Sequence, residues 1–138
     1  MSEDTNKADM APGAMPWTEL VTTDKEKSVK FYTELFGWTT DEMPLPDGNS
    51  YTMFKLGDRP IAGCIVPPED AGALPMWLSY VNVENLDDAM AKAFDLGGKV
   101  LKERVDLPMG SFAVASGPEG AVFAFWQYAE GACEDGCK

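Results

Sequence analysis

Histidine is absent from this 138-residue chain. That absence removes the commonest general base and the commonest metal ligand, and with them every Ser-His or Cys-His nucleophile arrangement. Any catalysis would have to run on carboxylate, thiol, lysine, tyrosine or backbone. Cysteine is scarce as well. There are three, with Cys64 alone in an apolar stretch and Cys133 and Cys137 near the C-terminus. An odd count so distributed is no disulfide framework and fits a reducing compartment. Basic residues number 11 against 23 acidic ones, for a net charge of −12. Nucleic acid and anionic membrane are therefore disfavoured as partners, while cationic small molecules would be attracted. No apolar run approaches the roughly 18 residues of a membrane span. The opening Met1-Ser2-Glu3-Asp4-Thr5 lacks the basic and apolar regions of a secretory signal. The expectation is a cytoplasmic protein that engages neither nucleic acid nor membrane.

What is present suits one globular domain, with 45% hydrophobic and 25% charged residues. Residues 1–14 and the small, acidic 129–138 read as flexible tails, leaving 15–128 as the folded unit. Within it the order of pattern types repeats at a spacing of 60. Trp17 falls on Trp77, Phe36-Gly37 on Leu96-Gly97, Gly57 on Gly117, and Cys64 on Ala124. Each module, 15–66 and 75–128, opens with a strand-like run rich in β-branched and aromatic residues, Trp17 to Thr23 and Trp77 to Val83. A helix follows. Asp24 is suited to cap the first, and Val29, Tyr32, Leu35 and Phe36 recur at helical spacing until Gly37. Leu86, Ala89, Met90, Ala93 and Leu96 form the second stripe, ended by Gly97-Gly98. Three strand candidates follow each helix, near 38–43, 51–56 and 61–66, then 99–104, 111–115 and 121–127. Pro46-Asp47-Gly48-Asn49, Gly57-Asp58-Arg59-Pro60 and Gly117-Pro118-Glu119-Gly120 supply turns between them. The expected fold is α+β, a βαβββ unit present twice, with 67–74 as the linker.

A duplicated βαβββ module with Asp24, then Ser28-Val29-Lys30-Phe31-Tyr32 and Leu35-Phe36-Gly37-Trp38, and with Gly117-Pro118-Glu119-Gly120 ahead of an apolar strand, resembles the glyoxalase, bleomycin-resistance and dioxygenase group. This is the vicinal oxygen chelate superfamily. The resemblance spans about 15–128 and implies eight strands curving into a half-barrel around a cleft, commonly in a homodimer. It does not choose an activity, because the superfamily hosts lyases, epimerases, dioxygenases and non-enzymatic drug binders. In its metal-dependent members the first and last strand of each module supply one ligand apiece. Carried onto this sequence, those positions are Trp17, Cys64, Trp77 or Leu78, and Ala124. One thiol among four does not hold the metal this chemistry uses, so the expectation is no cofactor.

Among ionisable residues Glu19 stands out. Strand alternation turns Leu20 and Thr22 toward the helix and sends Trp17, Glu19 and Val21 to the opposite face. A carboxylate there, flanked by aromatics, suits a proton-abstracting base or an anchor for a ligand; the structural alternative is a carboxylate hydrogen-bonded within its own sheet. Trp17, Trp77, Phe112 and Trp126 make the strands unusually aromatic and, with Cys64 and Ala124, mark a surface for a flat apolar molecule. Cys64 taken alone reads as a buried core thiol. The sequence thus points to a small-molecule binder, with catalysis through Glu19 left open. A metal-dependent lyase or dioxygenase and a drug-sequestering protein of the bleomycin-resistance type are the alternatives. Elemental analysis is expected to find no stoichiometric nickel, iron, manganese or zinc. One equivalent that persists after Cys133 and Cys137 are changed to Ser would contradict this reading.

Overall fold

A computed structural model describes residues 11–45, 48, 50–67 and 74–129. The first module runs β1 (Trp17–Val21), α1 (Lys25–Phe36), β2 (Thr39–Pro44), β3 (Ser50–Leu56) and β4 (Arg59–Ile65). The second runs β5 (Met76–Asn82), α2 (Leu86–Asp95), β6 (Lys99–Leu107), β7 (Gly110–Ser116) and β8 (Val122–Tyr128). The α+β class and the twice-occurring βαβββ order are as the sequence implies. The expected linker and the Pro46–Asn49 turn fall largely outside the described residues, and Cys133 and Cys137 do so entirely.

Strand order is β2-β3-β4-β1 in the first module and β6-β7-β8-β5 in the second. In each, the first and last strands pair in parallel, β1 with β4 and β5 with β8, while the other pairs are antiparallel. A parallel pair needs a crossover, and the helix with the two intervening strands provides it. The described residues divide into one compact unit over Trp17–Leu78 and another formed by residues 79–129 together with residues 11–16. The segment ahead of Trp17 is tied to the second unit by backbone hydrogen bonds. Gly13 N–H donates to Asn82 O at 2.8 Å, and Asn82 N–H donates to Ala14 O at 2.9 Å.

Each helix begins where a side chain accepts an otherwise unbonded backbone N–H. Asp24 accepts from Lys27 N–H at 3.1 Å and Asn85 from Asp88 N–H at 2.9 Å. Gln127 Oε1 adds a bond from Leu86 N–H at 2.6 Å, pinning the start of α2 to β8. Gly37 ends α1 with φ 77°, a conformation a Cβ would resist. Under α1 lie Leu20, Phe54, Ala62 and Cys64, with Val29, Tyr32 and Trp38 packed against them. Under α2 lie Ala113, Ala115 and Phe125, packed against its own Leu86, Ala89, Met90 and Ala93.

These cores correct the repeat. Asp24 corresponds to Asn85, Leu20–Cys64 to Val81–Phe125, and Glu19–Gly63 to Tyr80–Ala124. The bond from Thr22 N–H to Ile65 O recurs as Val83 N–H to Trp126 O. The paired rows of β1, β3 and β4 and the helix starts repeat at 61 residues, while the start of β2 recurs in β6 at 60. The left-handed glycines that follow the helices, Gly37 and Gly97, repeat at 60, because α2 is two residues shorter than α1 but Leu96 stands between it and its glycine.

Cys64 is 2% exposed, and burial pushes its thiol up to about 11 from an ordinary 9, with nearby Glu19 and Glu42 adding to the rise and Lys25 opposing it. A thiol reagent is expected to leave Cys64 unmodified in the native protein at neutral pH and to react once denaturant is added. Because the folded pKa lies above the unfolded one, the thiol's contribution to stability is intact below about pH 9 and lost as pH rises through about 11. Urea melts of wild type and Cys64→Ala across that range should show the extra decline only in wild type.

Candidate functional site

The face of the first module opposite α1 carries the chemistry. In the transverse row Met53–Gly63–Glu19, strands β3, β4 and β1 bring these residues side by side. Leu20 and Cys64, one position along, point into the α1 core, and Thr22 Oγ1 lies 2.8 Å from Ser28 Oγ of α1. Alternation therefore turns Glu19 away from the helix, as its sequence position predicts. Trp17, two residues earlier, shares its face.

Glu19 is 4% exposed. Tyr51 Oη donates to Glu19 Oε2 at 2.7 Å, and Trp17 Nε1–H donates to Tyr51 Oη at 2.8 Å. The result is a directed chain from indole to phenol to carboxylate. Its members polarise one another, and a buried carboxylate gains most from such donors. Burial first, then the charge of Glu19 and the bond to it, push the Tyr51 hydroxyl well above the usual tyrosine range. Tyr51 therefore stays a phenol. Its tip lies directly over Gly63, where a Cβ would stand 1.6 Å from Oη and 2.3 Å from Cζ.

A second polar group lies on strands β2 and β3. Glu42 accepts from Thr52 Oγ1 at 2.8 Å and from Ser50 Oγ at 2.9 Å, with Lys25 Nζ at 3.6 Å. The Thr52 bond above all holds its carboxyl below the ordinary range. Each group here has a partner, so the cluster joins the start of α1 to β2 and β3.

In the second module the face opposite α2 is aromatic. Tyr80 meets Phe112 at 6.2 Å and Trp126 at 6.4 Å between ring centroids, both edge-on. Phe112 and Trp126 are cross-strand partners, and Ala124 sits beside Tyr80. The Trp126 indole lies over Gly110, 2.6 Å from where a Cβ would be. Phe112, Ala124 and Trp126 thus share one face, as expected of them.

Two expected site residues lie elsewhere. Cys64 packs under α1, and the 61-residue register puts Gly63 at its assigned position. Trp77 lies edge-on to Tyr32 of α1, with centroids 5.2 Å apart and 38% of its surface exposed. The register selects Leu78 at that place and matches Glu19 with Tyr80. The four positions to which the family resemblance assigns metal ligands are therefore Trp17, Gly63, Leu78 and Ala124. None carries a side chain suited to ligate an ion. Among the described residues no three His, Cys, Asp or Glu come close enough to hold one. The donor set does not fit the family's metal. Tyr51, which sequence reading missed, lies 32 residues from Glu19 and 34 from Trp17; the one trace of it in the sequence is strand alternation ahead of Met53.

The described residues contain no helix long and apolar enough to cross a membrane. Comparison with known proteins matches residues 14–125 to the Glyoxalase/Bleomycin resistance protein/Dioxygenase superfamily model. "Putative glyoxylase CFP32" of Mycobacterium tuberculosis is 37% identical over 113 residues, 81% of this chain and 43% of that protein. "Anthracycline biosynthesis protein DnrV" of Streptomyces peucetius is 31% identical over 131 residues, 85% of this chain and 48% of that protein. The chain thus spans about half the length of these relatives. Among solved structures, hypothetical protein BH1468 from Bacillus halodurans superposes with a TM-score of 0.60 at 12% identity, covering 85% of this chain and 95% of that one. Methylmalonyl-CoA epimerase from Mycobacterium tuberculosis gives 0.56 at 13%, covering 85% and 88%. At such identities these two likenesses speak for the fold alone. The extent of the family match and the identity to CFP32 place this chain in the Glyoxalase/Bleomycin resistance protein/Dioxygenase superfamily.

Proposed function

We propose that this protein binds a small, flat, aromatic molecule without a metal ion, using the sheet face of the first module opposite α1. The observation that carries this reading is the chain from Trp17 through Tyr51 to Glu19. A carboxylate this buried costs stability unless its bonds repay the loss of water, and here Tyr51 donates to it and Trp17 donates to Tyr51, both aromatic side chains that are themselves only half-buried. Such a surface offers a ligand apolar area with one oriented polar group, the usual make-up of a small-molecule site. The aromatic face of Tyr80, Phe112 and Trp126 offers stacking area of the same kind. The relationship to an anthracycline biosynthesis protein favours polycyclic ligands bearing hydroxyl or quinone oxygens. The net charge of −12 adds long-range attraction for cationic ones. With Glu19 almost out of reach of solvent, binding or sequestration takes precedence over proton abstraction.

Native mass spectrometry of freshly purified protein is expected to find a co-purified small molecule. Titration with a hydroxyanthraquinone, followed by tryptophan fluorescence, is expected to saturate at one equivalent. Glu19→Gln keeps the shape and removes the charge behind the Tyr51 bond, which should weaken binding by about 1.5 kcal/mol, roughly tenfold. Its melting temperature should move less, since an amide oxygen still accepts from Tyr51. No saturable binding by wild type would refute the proposal. A large fall in melting temperature at unchanged affinity would make Glu19 purely structural.

A further inference from the structure

We propose that Gly63 is the specificity-determining residue of this site: by having no side chain it lets Tyr51 lie over Glu19, so that ligands meet a neutral phenol instead of a carboxylate. The inference rests on the small-molecule reading above and names the ligand class within it.

Tyr51 and Gly63 are on neighbouring antiparallel strands, and the phenol tip occupies the volume that any side chain at 63 would fill. The three atoms nearest to that Cβ position all belong to the ring and hydroxyl of Tyr51. A methyl group at 63 would therefore displace a side chain that can turn about χ1, and leave the sheet itself in place. Once turned, Tyr51 could hold neither the bond to Glu19 nor that from Trp17. Glu19 would lose the donor at Oε2 and gain access to solvent.

What a ligand meets depends on which arrangement holds. With Tyr51 in place its oxygen gives one hydrogen to Glu19 and takes one from Trp17, which leaves a second lone pair for a ligand hydroxyl. A ligand ammonium finds Glu19 4% exposed and cannot form a direct ion pair. With Tyr51 displaced, an ammonium can pair with the carboxylate, a stronger charge-assisted bond than a neutral hydroxyl makes. The native site is thereby set for neutral hydroxylated aromatics, although the overall charge of the protein attracts cations.

The test compares a hydroxyanthraquinone with the same ring system carrying an aminoalkyl chain, on wild type, Gly63→Ala and Tyr51→Ala. Wild type is expected to favour the neutral ligand or to bind the two alike. Both variants should shift the preference by about tenfold toward the amine, and adding Glu19→Gln to either should cancel the shift. Ionisation of Tyr51, followed by NMR of Cζ-labelled tyrosine, reports on the geometry without any ligand. In Gly63→Ala it should fall back toward the ordinary tyrosine range. Tyr51→Ala removes the phenol without crowding the sheet, so it answers the ligand question even if Gly63→Ala fails to fold. An unchanged Tyr51 titration in folded Gly63→Ala, or an unchanged preference in Tyr51→Ala, would overturn the proposal. Wild type that binds neither ligand would instead refute the small-molecule reading, and the titration would still decide the role of Gly63.

Discussion

The hydrogen bond from Tyr51 to Glu19 is what makes the first module's open face chemically coherent. A carboxylate nearly excluded from water would be costly on its own. The phenol supplies a donor at 2.7 Å, the indole of Trp17 supplies one to the phenol, and Gly63 supplies the room. Each of the four depends on the others. Remove the space at the glycine and the phenol has no place; remove the phenol and the carboxylate loses its donor at Oε2. The sheet pairing beneath them is what enforces this, because the Met53–Gly63–Glu19 row fixes all three strands in register.

The duplication was legible in the sequence because its signals are local. Capping residues, helix-ending glycines and apolar stripes each act within a few positions of themselves, and they recur in the same order. Its register was not. Trp17 and Trp77, Gly37 and Gly97, and Gly57 and Gly117 all align at 60, whereas the pairing of the first and last strands of each module repeats at 61. In a helix a shift of one residue is a modest rotation. In a strand it exchanges the two faces of the sheet. So the same small error left the fold assignment intact and moved Cys64 and Trp77 to the wrong side.

Tyr51 was out of reach for a different reason. Nothing at positions 17, 19, 51 or 63 announces a contact by spacing, since the residues meet only after β3, β4 and β1 have paired. Sequence patterning places Glu19 on a face and stops there. The polarity of the neighbourhood, and the fact that an aromatic ring covers the carboxylate, are consequences of pairing across 32 and 44 residues, the separations of Glu19 from Tyr51 and Gly63.

The two modules show what duplication leaves free. Corresponding rows read Met53–Gly63–Glu19 in one and Val114–Ala124–Tyr80 in the other. Both have a small residue at the centre of the row. Beside it the first module has a carboxylate held by a phenol, and the second has a tyrosine amid Phe112 and Trp126. Glycine also recurs under an aromatic tip, Gly63 beneath Tyr51 and Gly110 beneath Trp126. Helix caps and core positions must agree between copies because both copies fold by them. The face turned from the helix carries no such requirement, so it is there that one copy could keep a charge while the other became wholly aromatic.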